Sequence, residues 1–153
     1  MNKKKAFTLL ELLIVIIILG VLSSFITSNF LISLKKGRDA RRKGDLEQIQ
    51  RALELYYEDK RAYPSNISFG QSLTDTETGK IYMNKIPNDP SGNSYKYESD
   101  GTYYKLYACL ENNQQILPYI SNPTNFTCNN FCKNNQGNNV RCIWGVSSSN
   151  TNP

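Results

Sequence analysis

The sequence predicts an α+β fold, in which one long N-terminal helix packs on a small antiparallel sheet. Three observations carry this. From Ala6 to Leu34 the only ionisable side chain is Glu11. The pattern then changes to apolar residues at steps of three and four, Leu46, Ile49, Leu53, Tyr56 and Tyr57, with Glu47, Gln48, Gln50, Arg51, Glu54 and Glu58 between them, which marks an amphipathic helix. Beyond it, turn signals at NDPSGN and DG frame the short segments SYKYE and TYYKLYACL, which read as strands of a hairpin.

The apolar run predicts the first half of the helix. As a helix its 29 residues would extend about 43 Å at about 1.5 Å per residue, against a hydrocarbon core of about 30 Å, so residues 7–34 can span a bilayer. A cleaved secretory signal fits less well, because no A-x-A site follows and the apolar character continues through FITSNFLISL. Residues 35–61 read as the amphipathic continuation. Gly37 and Gly44 weaken the helix by about 1 kcal/mol each and point to a local bend or a melted turn there. Pro64 in AYPS ends it near Arg61.

Residues 62–153 complete the chain. Ala62 to Lys85 lacks periodicity and reads as a connecting loop. On the strand TYYKLYACL, Tyr104, Leu106, Ala108 and Leu110 share the face expected to meet the helix stripe. The four cysteines, 109, 128, 132 and 142, lie in a polar tail without a single His. Their spacing lacks the paired knuckles of a zinc ribbon, so two disulfides and an oxidising, exported location are expected. Of three connectivities, a turn at Gly137 favours Cys132 with Cys142, leaving Cys109 with Cys128.

The formal charge of +5 is not spread evenly. Lys35, Lys36, Arg38, Arg41, Arg42 and Lys43 against Asp39 concentrate +5 in residues 35–44, and Lys3, Lys4 and Lys5 precede the apolar run. From Asp45 onward the chain is −2. The basicity flanks the apolar helix, where anionic headgroups or neighbouring carboxylates are natural partners; nucleic acid is not an expected partner of the body. The six cations after the apolar run outnumber the three before it, which by the positive-inside rule would keep the body in the cytoplasm. The cysteines and the Asn-rich tail argue for export instead. No His, GxSxG, Walker loop or HExxH is present, so no enzyme is expected and no catalytic residue is assigned.

The stretch KKKAFTLLELLIVIIILGVL resembles the class III signal of type IV pilins and type II secretion pseudopilins. The resemblance implies a pilin-like subunit with a leader peptide, residues 1–6, cut by prepilin peptidase between Ala6 and Phe7, and N-methylation of Phe7. Ala6 stands where the family usually has Gly. It implies that the cytoplasmic N-terminus precedes a single-pass membrane helix, and that the subunit later joins an extracellular or periplasmic filament. Glu11, the fifth mature residue, would be an assembly contact that meets the amine of a neighbouring subunit, since an unpaired charge in an apolar medium is costly. The partners so implied are further copies of the chain, minor pilins or pseudopilins, prepilin peptidase, an inner-membrane assembly platform and membrane lipids.

The segment IPNDPSG..YKY is similar to the one opening the sheet in major pseudopilins, a family that often follows it with an acidic calcium loop. Here Asp89 and Asp100 stand isolated, so no calcium, other metal or cofactor is expected. The function expected is that of a structural protomer of a type IV pilus or type II secretion pseudopilus. The alternatives are a membrane-anchored extracellular binding module that never polymerises, and a DNA-uptake filament subunit using Lys35 to Lys43.

Overall fold

The computed structural model describes residues 7–153; the leader segment 1–6, with Ala6, lies outside them. The chain divides into two compact units between Leu34 and Lys35. A single helix, α1 (Leu9–Lys60), runs through the boundary. Its last turn closes with the Arg61 N–H donating to the Tyr57 carbonyl at 2.8 Å. Arg61 itself has φ +54°, the left-handed conformation that ends helices, three residues before Pro64. The helix does not melt at Gly37 or Gly44: both remain helical, and the residues on either side of Gly44, Asp39, Arg42, Asp45 and Leu46, are buried in the body.

The body, residues 35–153, carries three small sheets. β1 (Leu73–Thr74) and β2 (Ile81–Met83) form an antiparallel ribbon inside the segment expected to be loop. β3 (Lys96–Ser99) and β4 (Tyr104–Cys109) form the expected hairpin, with Tyr97 opposite Leu106. At its turn Gly101 takes φ +91°, which a side chain would resist, and the Asp100 carboxylate accepts the N–H groups of Thr102 and Tyr103 at 2.9 and 3.1 Å. β8 (Ile143–Ser147) comes from the tail and pairs with the other edge of β4. β5 (Ile116–Leu117), β6 (Phe131–Asn134) and β7 (Asn139–Arg141) make the third sheet, in which β5 and β6 run parallel.

The main core forms where the helix stripe meets the hairpin. Leu46, Ile49, Ala52 and Leu53 of α1 pack with Tyr95, Tyr97, Tyr104, Leu106 and Ala108, closed over by Tyr63, Ile67, Leu73 and Ile86. The ring edges add geometry to the burial: Tyr63 meets Tyr104 edge-on at 4.7 Å between centroids. Tyrosine hydroxyls buried here are answered by helix carboxylates, Tyr95 by Asp45 at 2.7 Å and Tyr104 by Glu54 at 3.0 Å. Leu110, expected in the same stripe, belongs to a second cluster with Leu117, Cys132 and Cys142, since β4 ends at Cys109 and the chain turns off the helix. Tyr107, on the opposite face of β4, is buried with Cys128 and Ile143, so β4 is covered on one face by α1 and on the other by the tail.

A buried ionic cluster fastens the hairpin's two ends to α1. The Arg42 side chain is completely buried and spends its donors on Asp89 Oδ2 (2.5 Å), Asp39 Oδ1 (2.8 Å), Glu111 Oε1 (2.5 Å) and Ser91 Oγ (2.9 Å). Asp39 also accepts the N–H groups of Glu111 and Asn112 at 2.9 and 2.8 Å and the Gln115 amide at 2.8 Å. Arg38 Nε reaches Glu111 Oε1 at 3.0 Å. Burial works against the charge of Arg42, but its hydrogen bonds to Asp89, Glu111 and Asp39 outweigh burial and raise its pKa. Asp89, isolated in the sequence, is thus a partner of the helix. Removing one member of such a pair leaves a buried charge uncompensated, about 3–5 kcal/mol.

Disulfides join Cys109 to Cys128 and Cys132 to Cys142. The second closes the β6–β7 hairpin, whose turn places Gly137 at φ +82°. The loops they close span 19 and 10 residues, for which chain entropy gives about 3 kcal/mol each.

Two predictions follow from these linkages. Thiol labelling of the oxidised protein should find no reactive Cys, and Cys132→Ser with Cys142→Ser should lower the unfolding free energy by about 3 kcal/mol in denaturant titration. The Arg38 hydrogen bond, against the opposing effect of burial and with help from Ser91 and Arg42, holds Glu111 down from the ordinary 4.5 to about 2. A depressed carboxylate stabilises the fold above its unfolded pKa and loses that stabilisation as pH falls through the folded one. Unfolding free energy should therefore decline between pH 4.5 and about 2, and Glu111→Gln should flatten that part of the profile.

Candidate functional site

The N-terminal end of α1 is built from FTLLE. Thr8 is the residue before the first helical one, and its Oγ1 accepts the Glu11 N–H at 3.2 Å while its carbonyl accepts the Leu12 N–H at 3.2 Å. Thr-x-x-Glu is the capping-box pattern, in which the residue three after the cap is Glu or Gln. An acidic side chain in the first turn also suits the positive end of the helix dipole. Glu11 thus stands where a capping box places its acid, with its backbone N–H held by Thr8. The signal was present in the sequence as the spacing of Thr8 and Glu11. Glu11 and Phe7 are both exposed among the described residues.

Every large apolar side chain from Leu9 to Leu22 is exposed, as are Phe30, Leu31 and Leu34. They point all round the helix rather than along one stripe. A helix apolar on all sides needs an apolar medium or other helices around it. Among the described residues, no helix is long and apolar enough to cross a membrane.

In the body, the basic stretch divides into two kinds of cation. Arg38 and Arg42 are absorbed by the ionic cluster, and Lys43 donates to Gln115 Oε1 at 2.7 Å while lying 4.3 Å from the Trp144 ring centre. Lys35, Lys36 and Arg41 remain exposed. The sequence reading treated all six as one patch and missed that half of them hold the fold. The clue was Asp39 three residues before Arg42, a spacing that faces the two side chains together.

The acids and thiols likewise go to internal partners. Among the described residues, no group of three His, Cys, Asp or Glu side chains is arranged to hold a metal: the carboxylates of Asp39, Asp89 and Glu111 converge on the Arg42 guanidinium instead. The four cysteines are all taken up in disulfides. The surface thus offers an apolar helix with one carboxylate, and beyond it a charged helix face, as its means of interaction.

Comparison with known proteins agrees with this arrangement. Residues 1–27 match the family of the prokaryotic N-terminal methylation motif, and residues 29–115 match the type II secretion system protein G family. The chain is 33% identical over 109 residues to the type II secretion system core protein G of Vibrio cholerae, covering 66% of this chain and 75% of that one. It is 32% identical over 110 residues to the protein of the same name in Pseudomonas aeruginosa, covering 66% and 78%. The likeness to the one in Dickeya chrysanthemi is lower, 26%, but extends over 146 residues, 90% of this chain and 95% of that one. No solved structure matches the chain. With more than half of its residues inside one family's bounds, and with the methylation motif standing directly ahead of them, this chain belongs to the type II secretion system protein G family.

Proposed function

We infer that this chain is a structural protomer of a type II secretion pseudopilus, polymerising with copies of itself and with other pseudopilins through its N-terminal helix. The observation that carries the reading is the family match over residues 29–115, joined to a helix whose apolar side chains from Leu9 to Leu22 have no cover within the subunit. A binding module that never polymerises would leave that surface without a function beyond anchoring, and a DNA-uptake role would draw on a basic stretch of which Arg38, Arg42 and Lys43 are engaged inside the body.

The division of labour proposed along the chain is a leader at 1–6, an anchor and later filament core at 7–34, an amphipathic continuation at 35–61, and the connecting loop, antiparallel sheet and Cys-containing tail at 62–153. The unbroken apolar run in the sequence supports the membrane anchor. Two disulfides support an oxidising, exported environment for the body, with the N-terminus left in the cytoplasm. Prepilin peptidase, an assembly platform in the inner membrane and anionic lipids are the further partners proposed. The enzyme would cut between Ala6 and Phe7 and methylate the new amine. Intact mass of the mature protein should then equal residues 7–153 plus one methyl group; cleavage near Ser24 would contradict the reading.

Glu11 is proposed as the partner of the Phe7 amine of a neighbouring subunit. Because Glu11 also stands at the capping-box position, Glu11→Gln, which keeps a residue that suits the cap and removes only the charge, separates the two readings more cleanly than Glu11→Ala. Both substitutions should leave membrane insertion and the body unchanged. Both should deplete sheared filaments or cross-linked multimers relative to membrane-held subunit, because an amine buried without its carboxylate costs about 3–5 kcal/mol. If Glu11→Gln assembles as well as wild type, the residue serves the cap alone.

A further inference from the structure

The match to the protein G family ends at residue 115, and the sheet of β5, β6 and β7 lies wholly beyond it. Its inner face carries Leu117, Cys132 and Asn134, all buried. Alternation therefore turns Ile116, Phe131 and Lys133 outward, and strand pairing adds Asn139 and Arg141 of β7 to the same face. All five are exposed. Lys133 and Arg141 are the only charged side chains after Glu111, and neither makes an ion pair among the described residues. The tail thus presents its two charges, both positive, on one sheet face.

The pairing arranges these residues in two rows. Arg141 stands opposite Phe131, and Lys133 beside Ile116, so each cation has an apolar neighbour. The diagonal from Arg141 to Lys133 runs parallel to the one from Phe131 to Ile116, and the cation diagonal measures about 7–8 Å. Arg141 is held before any partner arrives: its Nη1 donates to the Cys128 carbonyl at 2.7 Å, and its guanidinium lies 4.5 Å from the Phe131 ring centre. A fixed side chain loses less freedom on binding, and Nε and Nη2 remain to meet a carboxylate. Ile116 and Phe131, 67% and 52% exposed, supply the apolar contact.

We propose that this face docks an acidic amphipathic helix of another protein. Three strands about 4.8 Å apart make a face about 10 Å wide, close to the diameter of one helix. On such a helix two acids four residues apart lie about 5–6 Å from one another, within reach of both long cationic side chains. The adjacent row of its side chains then brings apolar residues onto Phe131 and Ile116. An extended peptide turns only one row toward the sheet and cannot cover both. A nucleic acid or an anionic membrane is larger than the face and meets the field of the whole body, which from Asp45 onward is −2. A second copy fits poorly as well. On α1, Arg51 stands four residues before the exposed Leu55, and Glu54 is taken by the hydroxyls of Tyr63 and Tyr104. The proposal is independent of polymerisation through the N-terminal helix.

The test uses the full-length chain in nonionic detergent and a labelled helical peptide with Glu at every fourth position and Leu three residues after each. Fluorescence anisotropy reports binding, with the signal of empty micelles subtracted. Binding should saturate, Lys133→Glu with Arg141→Glu should weaken it about tenfold, and Phe131→Ala should weaken it about threefold. Intact mass and circular dichroism of the variants should match a folded chain with both disulfides. Changing every Glu of the peptide to Lys should restore binding to the double variant and abolish it with wild type. Zero-length carbodiimide coupling should join the acidic peptide to Lys133. Absence of saturable binding, or binding indifferent to the double substitution, would overturn the proposal. Equal binding of a peptide of the same charge kept extended by Pro would overturn the helix. Tighter binding of oligothymidylate or phosphatidylglycerol vesicles, lost in the double variant, would assign the face to a polyanion instead. Self-association of wild type that the double variant loses would assign it to a second copy, and either result would sink the proposal.

Discussion

The body depends on one buried guanidinium. Arg42 has no access to water, and its charge is tolerated because Asp39, Asp89 and Glu111 converge on it. Each carboxylate arrives from a different part of the chain: the helix itself, the loop before β3 and the residues just after β4. The cluster thus decides where the hairpin enters and leaves the surface of α1, and the aromatic core between those two points follows from that placement. It also helps to keep the chain helical through Gly44, where helix propensity alone would have predicted weakness. Tertiary contacts to buried neighbours exceed an intrinsic cost of about 1 kcal/mol.

Much of this was legible in the sequence because its periodicities are strong. Leu46, Ile49 and Leu53 recur at helical spacing, and Tyr104, Leu106 and Ala108 alternate as a strand does; both sets lie in the same core. The symmetric placement of Cys132 and Cys142 about Gly137 pointed to the hairpin that they close. Less legible were elements too short to show a period. β1 has two residues and β2 three, and β8 reads IWGVS, with a Gly in the middle that weakens any strand signal. β8 was hidden further because its neighbour β4 precedes it by more than thirty residues, and pairing at that separation leaves no local trace. The ionic cluster escaped for a related reason: Asp89 and Glu111 look solitary until the fold brings them to Arg42.

At the other end of the molecule, two demands converge on a single carboxylate. The helix start asks for a Glu or Gln three residues after Thr8, and the apolar surroundings ask that any charge be matched. Family membership gives a context in which both can hold, since a filament packs helix ends among other helices.

The order of the cysteines has a consequence for how the protein is made. Cys109 pairs with Cys128, and Cys132 with Cys142, so each bond joins neighbours in the list of cysteines and the two closed segments do not interleave. In the export proposed for the body, the amino end stays behind and the rest of the chain follows in order, so these thiols emerge in that sequence. An oxidase that simply joins each newly emerged thiol to the one waiting before it completes the first bond before Cys132 appears, and then the second. The correct connectivity is therefore what vectorial export delivers by default, without a later step of isomerisation, and a secretory subunit needed in many copies can mature at the pace of its translocation.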